Sequence, residues 1–256
     1  MDPFQTYIET APKVPRVQPP RKALSYTANL PRHLGTHLAS KPPRGIIHKY
    51  LKHSPYQYFL HEKPTRIRFS PTKVKIIKKN TAPEIIIIKN KTNDSCRAIH
   101  TLSTREKEFF LNTKPILGTL LFFDQADGYA HQIGYMLKKY EDHVDCIMLD
   151  THNSYNGDIW SRAILKMLTK LCKKPAILHK KKMNAGDIQR RDKRFGNGYG
   201  LCFQWSVFML KYVSQLDPDL PTDEVVAYVK DLYKSIFQIL KLRHGIHYLM
   251  AEVYGS

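Results

Sequence analysis

The sequence predicts an α+β fold: a mixed or antiparallel sheet flanked by helices, carrying a basic N-terminal arm. Two observations lead there. Apolar runs of strand length recur between residues 73 and 150, and after residue 158 the apolar residues take up helical spacing. A third observation sets the arm apart: residues 1–44 hold eight of the sixteen prolines, including Pro19-Pro20 and Pro42-Pro43, mixed with Arg and Lys and without apolar periodicity. Such a stretch is a flexible or wrapped arm rather than an independent domain. Residues 45–256 then form the folded domain.

The elements follow in chain order. Residues 45–51 and 56–60 are too short and mixed to assign. Residues 73–79 (KVKIIKK) and 84–89 (EIIIIK) read as strands joined by the turn Asn80-Thr81-Ala82-Pro83, a hairpin in which alternating lysines keep one face in water. Residues 116–123 (ILGTLLFF), 131–137 (HQIGYML) and 144–150 (VDCIMLD) read as three further strands. Residues 158–173 have helical spacing, with Ile159, Ala163, Ile164, Met167, Leu168 and Leu171 on one side and Asp158 as the N-cap. A basic loop over 173–194 contains Lys180-Lys181-Lys182. The glycine-rich stretch Gly196-Asn197-Gly198-Tyr199-Gly200 leads into an apolar helix over 201–214. A last helix starts at Thr222, with Asp223 and Glu224 favouring its dipole, and is interrupted near Gly245.

Composition narrows the classes. No stretch approaches the roughly 18 apolar residues of a membrane span, and Met1-Asp2-Pro3-Phe4 lacks the basic and apolar regions of a secretory signal. A soluble protein of a reducing compartment is expected. Cys96, Cys146, Cys172 and Cys202 include no Cys-x-x-Cys pair, and His143, Cys146 and His152 match no usual ligand spacing, so neither a metal nor a cofactor is expected. The net charge of +19 is uneven: residues 1–115 hold 22 Lys and Arg against 7 Asp and Glu, and the remainder 19 against 15. The basic field belongs to the N-terminal part and suits a polyanion such as nucleic acid.

Three residues suggest chemistry. Cys202 falls in the first turn of a helix after three glycines in five residues. A helix N-terminus stabilises thiolate, and its free N–H groups can bind a developing oxyanion. A cysteine on an apolar helix is equally at home as a small core residue. His131 opens one strand and Asp150 ends the next. If the two strands are antiparallel in the symmetric register, His131 and Asp150 sit directly opposite, where a carboxylate can hold a ring nitrogen.

The segments Ala130-His131-Gln132, Leu149-Asp150-Thr151-His152-Asn153 and Gly198-Tyr199-Gly200-Leu201-Cys202-Phe203-Gln204-Trp205-Ser206 resemble the motifs of the papain-like cysteine proteases of the adenovirus-protease and SUMO-protease clan, and within it those of large DNA viruses. The resemblance covers roughly residues 115–215, and its Cys-x-x-Trp-Ser segment is the most specific part. It implies a papain-like cysteine protease fold and a Cys202–His131–Asp150 triad hydrolysing peptide or isopeptide bonds in a protein substrate, in virion maturation or in removal of a ubiquitin-like protein. It also implies an oxyanion-hole amide, Gln189 or Asn197, a packing role for Trp205, and a location in a virion or the host-cell interior. The chain departs from the SUMO proteases in following the histidine with Gln132 rather than tryptophan. Arg16, Arg21, Lys22, Arg32, Arg44, Lys73 and Lys75 are the candidate polyanion contacts.

A second reading stays open: a non-enzymatic, basic nucleic-acid-binding virion or scaffold protein. Its support is the N-terminal charge together with Tyr50, Tyr56, Tyr58 and Phe59 as base-stacking candidates. An unchanged function in Cys202→Ala would favour it.

Overall fold

The computed structural model describes residues 51, 54–59, 66–69, 74–77, 85–90, 95–100, 102–126, 129–150, 158–180 and 202–241, with the backbone alone at 66–69, 74–77, 129–130, 202–205 and 235–241. The arm over 1–44 with its Arg16, Arg21, Lys22, Arg32 and Arg44, and also Tyr50, Lys73, Gln189 and Asn197, lie outside the described residues. So does the side chain of Lys75.

The elements, in order, are β1 (Gln57–Phe59), β2 (Arg66–Phe69), β3 (Val74–Ile77), β4 (Ile85–Lys89), β5 (Cys96–His100), α1 (Thr104–Leu111), β6 (Ile116–Asp124), β7 (Tyr129–Lys139), β8 (Val144–Leu149), α2 (Asp158–Cys172), β9 (Ala176–Lys180), α3 (Cys202–Val213) and α4 (Thr222–Lys241). The main sheet runs β5-β4-β6-β7-β8-β9, with β1 also paired to β6. It is mixed. β4 and β1 run parallel to β6 on the same side, β1 along its first half and β4 along its second. β6–β7, β7–β8 and β4–β5 are antiparallel, and α2 carries the chain across from β8 to the parallel β9. The α+β expectation with helices flanking a mixed sheet holds.

The expected hairpin of 73–79 with 84–89 does not form. β3 pairs instead with β2 in a separate two-stranded sheet, and β4 joins the main sheet between β5 and β6. Burial gives the reason. Ile85, Ile86, Ile87 and Ile88 are all buried, so both faces of β4 are covered. A strand apolar on both faces belongs inside a sheet.

The residues of the main sheet divide into two principal cores. On one face Ile133, Tyr135 and Leu137 of β7 join Leu120 and Phe122 of β6, Phe110 of α1, and Trp160, Ile164 and Leu168 of α2. On the other, Met136, Ile147 and Leu149 pack with Phe208, Met209 and Leu210 of α3 and with Val225, Val229 and Tyr233 of α4. Every described side chain of α3 but Lys211 is buried, which marks it as a central helix rather than a surface one. Gly134 lets it come close: a Cβ there would lie 3.3 Å from Leu210 Cγ and 3.2 Å from Leu149 Cβ.

The aromatics proposed for base stacking serve these cores. Tyr56 is buried and donates its hydroxyl to the Leu216 carbonyl at 3.1 Å. Phe59 is buried and stacks on Phe110 with centroids 5.3 Å apart. Tyr58 packs against the α3–α4 core.

Candidate active site

His131 lies at the start of β7, opposite Phe122 of β6, with only 1% of its side chain exposed. Its Nε2 is 2.9 Å from Oδ1 of Asp150, a carboxylate 13% exposed just past the end of β8. The carboxylate accepts, so Nε2 carries the proton and Nδ1 is the nitrogen suited to proton exchange. A largely covered carboxylate held against a buried imidazole fixes both its tautomer and its orientation.

The two residues meet, though not in the expected register. Gly134 pairs with Leu149, and Tyr135 with Met148, a shift of two residues from the symmetric pairing. The shift comes from the connection. Lys138 and Lys139, which follow the strand predicted over 131–137, belong to the ladder, where they face Asp145 and Val144. The turn closes over Tyr140–His143, with the Tyr140 N–H donating to the His143 carbonyl and the two rings stacked. The lysine amines are used: Lys138 donates to the Pro218 carbonyl, and Lys139 to the Phe109 carbonyl and Asn112 Oδ1 near the end of α1. Burial lowers the pKa of Lys139 to about 8. Because strand side chains alternate with period two, a two-residue slip preserves the face. His131 and Asp150 become diagonal neighbours, still within reach of each other.

α3 begins at Cys202, which places this cysteine in the first turn as the sequence predicts. The side chains of residues 202–205, Trp205 among them, lie outside the described residues. The course of the helix along β7 is nevertheless defined. Leu210 packs at Gly134, and Ser206, one turn earlier, donates its hydroxyl to the Gln132 carbonyl at 3.1 Å. One helical turn advances about 5.4 Å and two strand residues about 6.7 Å. The next position in that stripe is Cys202, which extrapolates to the strand near residue 130, beside His131. The imidazole shares its strand face with Ile133 and Tyr135, whereas α3 covers the opposite face.

The other cysteines have different surroundings. Cys146 and Cys172 are buried and Cys96 is half-buried, and none of the three is in a disulfide. Burial pushes the Cys172 thiol up to about 11 and the Cys146 thiol further still. Both are core thiols, protonated at neutral pH. Cys146 approaches Met148 Sδ on the α2 face, whereas Asp145 alternates to the opposite one. Among the described residues no group of three His, Cys, Asp or Glu side chains converges as metal ligands would.

Sequence reasoning missed a second His–Asp contact, His179 Nε2 to Asp145 Oδ1 at 2.8 Å, with His143 Nε2 at 3.8 Å from the same oxygen. These imidazoles explain how a carboxylate sits in the apolar strand VDCIML. The signal was hidden because His179 falls in β9, which reads as a basic loop.

No family model matches the chain, and no curated protein matches it. Among solved structures it is similar to the effector protein RavZ (residues 1–487) of Legionella pneumophila, with a TM-score of 0.28 and 11% identity over 66% of this chain. The match spans 52% of the RavZ chain. A likeness this remote carries no argument about function. No helix among the described residues is long and apolar enough to cross a membrane.

Proposed function

We propose that the protein is a cysteine peptidase of papain-like type, with Cys202 as nucleophile, His131 as base and Asp150 as the residue that orients the base. The observation that carries this reading is the part-buried His131–Asp150 hydrogen bond, with α3, which begins at Cys202, tied by Ser206 to the residue after His131. A His–Asp contact largely withdrawn from water is costly to maintain, and in this reading the cysteine in the first turn of α3 is the group it serves.

In this mechanism His131 Nδ1 takes the Cys202 proton and Asp150 stabilises the resulting imidazolium. The thiolate attacks a peptide or isopeptide carbonyl. The tetrahedral oxyanion is held by backbone N–H groups at the first turn of α3, together with the Gln189 or Asn197 amide. His131 returns the proton to the leaving amine, and water then hydrolyses the thioester to release acid and restore the thiol. The resemblance to the adenovirus-protease and SUMO-protease clan implies a glycine-containing scissile site. The basic arm, with Arg16, Arg21, Lys22, Arg32 and Arg44, supplies a tether to a polyanion. Its binding should weaken steeply with salt and show little sequence preference.

The reading is tested with an electrophilic peptide probe ending in Gly-Gly-vinyl sulfone. Intact mass and peptide mapping should show one adduct on Cys202 in the wild type, and none in Cys202→Ala or His131→Ala. Labelling of Cys202 that is indifferent to His131, or no labelling at all, would sink the peptidase assignment. The nucleic-acid-binding reading loses support from Tyr56 and Phe59, which are core residues.

A further inference from the structure

Beyond Gly134↔Leu149 the described ladder no longer ties β7 to β8, yet His131 and Asp150 both lie past that point. The β6 ladder still holds β7 as far as Tyr129, and the His131–Asp150 hydrogen bond joins the two residues, but further contacts fix the Asp150 backbone relative to β7. Two buried hydroxyls reach this region from the helices on the opposite face. Ser206 of α3 donates to the carbonyl of Gln132, the residue after His131, at 3.1 Å. Tyr233 of α4 donates to the carbonyl of Asp150 itself at 3.2 Å. Ser206 is 1% exposed and Tyr233 4%. Buried hydroxyls need partners, and here each partner is a main-chain atom on one of the two strands carrying the His–Asp pair.

The two helices are themselves joined. Val207 and Val213 of α3 pack in one cluster with Val225, Val229, Leu232 and Tyr233 of α4. The two carbonyls are thus bridged by a packed helix pair in addition to the strand pairing on either side of them. α3 also begins at Cys202, one turn before Ser206. The same hydroxyl that holds β7 therefore holds the start of the helix against it.

We propose that Ser206 and Tyr233 are positioning residues, which hold the His131 strand and the Asp150 backbone at a fixed separation and hold the start of α3 beside them. The inference deepens the peptidase reading and rests on it for its meaning in catalysis. The geometric part concerns His131 and Asp150 alone. Loss of either hydroxyl lets one member of the pair drift, and misplacement of a reacting group by about 1 Å can cost on the order of 100-fold in rate.

The test uses the full chain with Ser206→Ala, Ser206→Thr and Tyr233→Phe. Iodoacetamide labelling of Cys202 is followed from pH 4 to 9, and the His131 ring nitrogens and the Nε2 proton are followed by NMR. Circular dichroism and urea unfolding report whether each variant is folded. Ser206→Ala and Tyr233→Phe should slow Cys202 labelling below pH 7 about tenfold or more and shift the His131 ring signals. Ser206→Thr keeps a hydroxyl and should restore both. Folded variants that keep the wild-type pH profile and His131 signals would overturn the proposal, leaving two hydroxyls that only satisfy the core. If Cys202 of the wild type is inert, the peptidase reading falls, and the ring signals alone decide: moved in the variants, the positioning stands; unmoved, it fails.

Discussion

Gly134→Ala tests the link between packing and site. The added Cβ would lie 3.2 Å from Leu149 Cβ and 3.3 Å from Leu210 Cγ, a few tenths of an ångström inside ordinary contact. Both neighbours are buried, so the relief must come from α3 backing away from β7. Overpacking by one methyl typically costs about 1–3 kcal/mol, offset by about 0.4–1 kcal/mol from the reduced freedom of the unfolded chain. A net loss of about 1 kcal/mol is expected, which lowers Tm by roughly 2–4 °C in a domain of this size. The Ser206–Gln132 hydrogen bond, at 3.1 Å, has little room to stretch before it is lost. Calorimetry gives the stability, and a cycle with Leu210→Ala isolates the clash, because loss of the γ carbon makes room for the methyl. The double variant should lose less than the two singles together. A Gly134→Ala protein as stable as the wild type, or a cycle with no coupling, would refute the close docking of α3 on β7.

Other expectations follow from single contacts. At the start of α1, Ser103 accepts from the Glu106 N–H while the Glu106 carboxylate accepts from the Ser103 N–H. Ser103→Ala should cost roughly 1 kcal/mol by urea unfolding. Burial raises the Cys172 thiol from 9.0 to about 11. The unfolded chain releases this proton first, so the stabilisation is complete below pH 9 and is lost as pH rises from about 9 to 11. Cys172→Ala should show a flatter alkaline decline in its urea midpoint, and an unchanged slope would contradict the burial argument. Gly118→Ala places a Cβ 2.5 Å from the fully buried Tyr135 ring. It should destabilise more than Gly134→Ala, by about 2–3 kcal/mol in the same calorimetry.

Much of the fold is legible in the sequence where patterns are long. Residues 116–123, 131–137 and 144–150 are strands to within a few residues, and the helices at 158, 202 and 222 start within a residue of where apolar spacing, glycine and charge signals place them, although Asp158 lies in the first turn of its helix rather than at the N-cap. The failures are short elements. β5 and β9 have five residues each and only partial burial, so their apolar pattern is weak. α1 has only eight residues and one fully buried side chain, although its Ser-x-x-Glu capping box was a readable signal. Pairing was less legible than strand identity. Nothing local distinguishes β4 paired with β3 from β4 paired with β5 and β6. The decisive fact, that all four isoleucines are covered, is tertiary.

The His131–Asp150 pairing was anticipated for a reason partly wrong. The register was off by two, but parity survived, and parity decides which side chains share a face. The Ser206 and Tyr233 contacts were beyond reach, since they join residues 74 and 83 positions apart with no periodic signal.

The central claim is that Cys202 and His131 form a working pair, and the pH dependence of thiol labelling tests it most directly. Native protein is treated with iodoacetamide from pH 4 to 9, and the modified cysteine is mapped in the wild type and in His131→Ala. The account predicts that Cys202 alone reacts quickly, at pH values well below the ordinary thiol pKa of about 8.5, and loses this reactivity in the mutant. A Cys202 that stays inert until the protein unfolds, or reacts identically without His131, would contradict it.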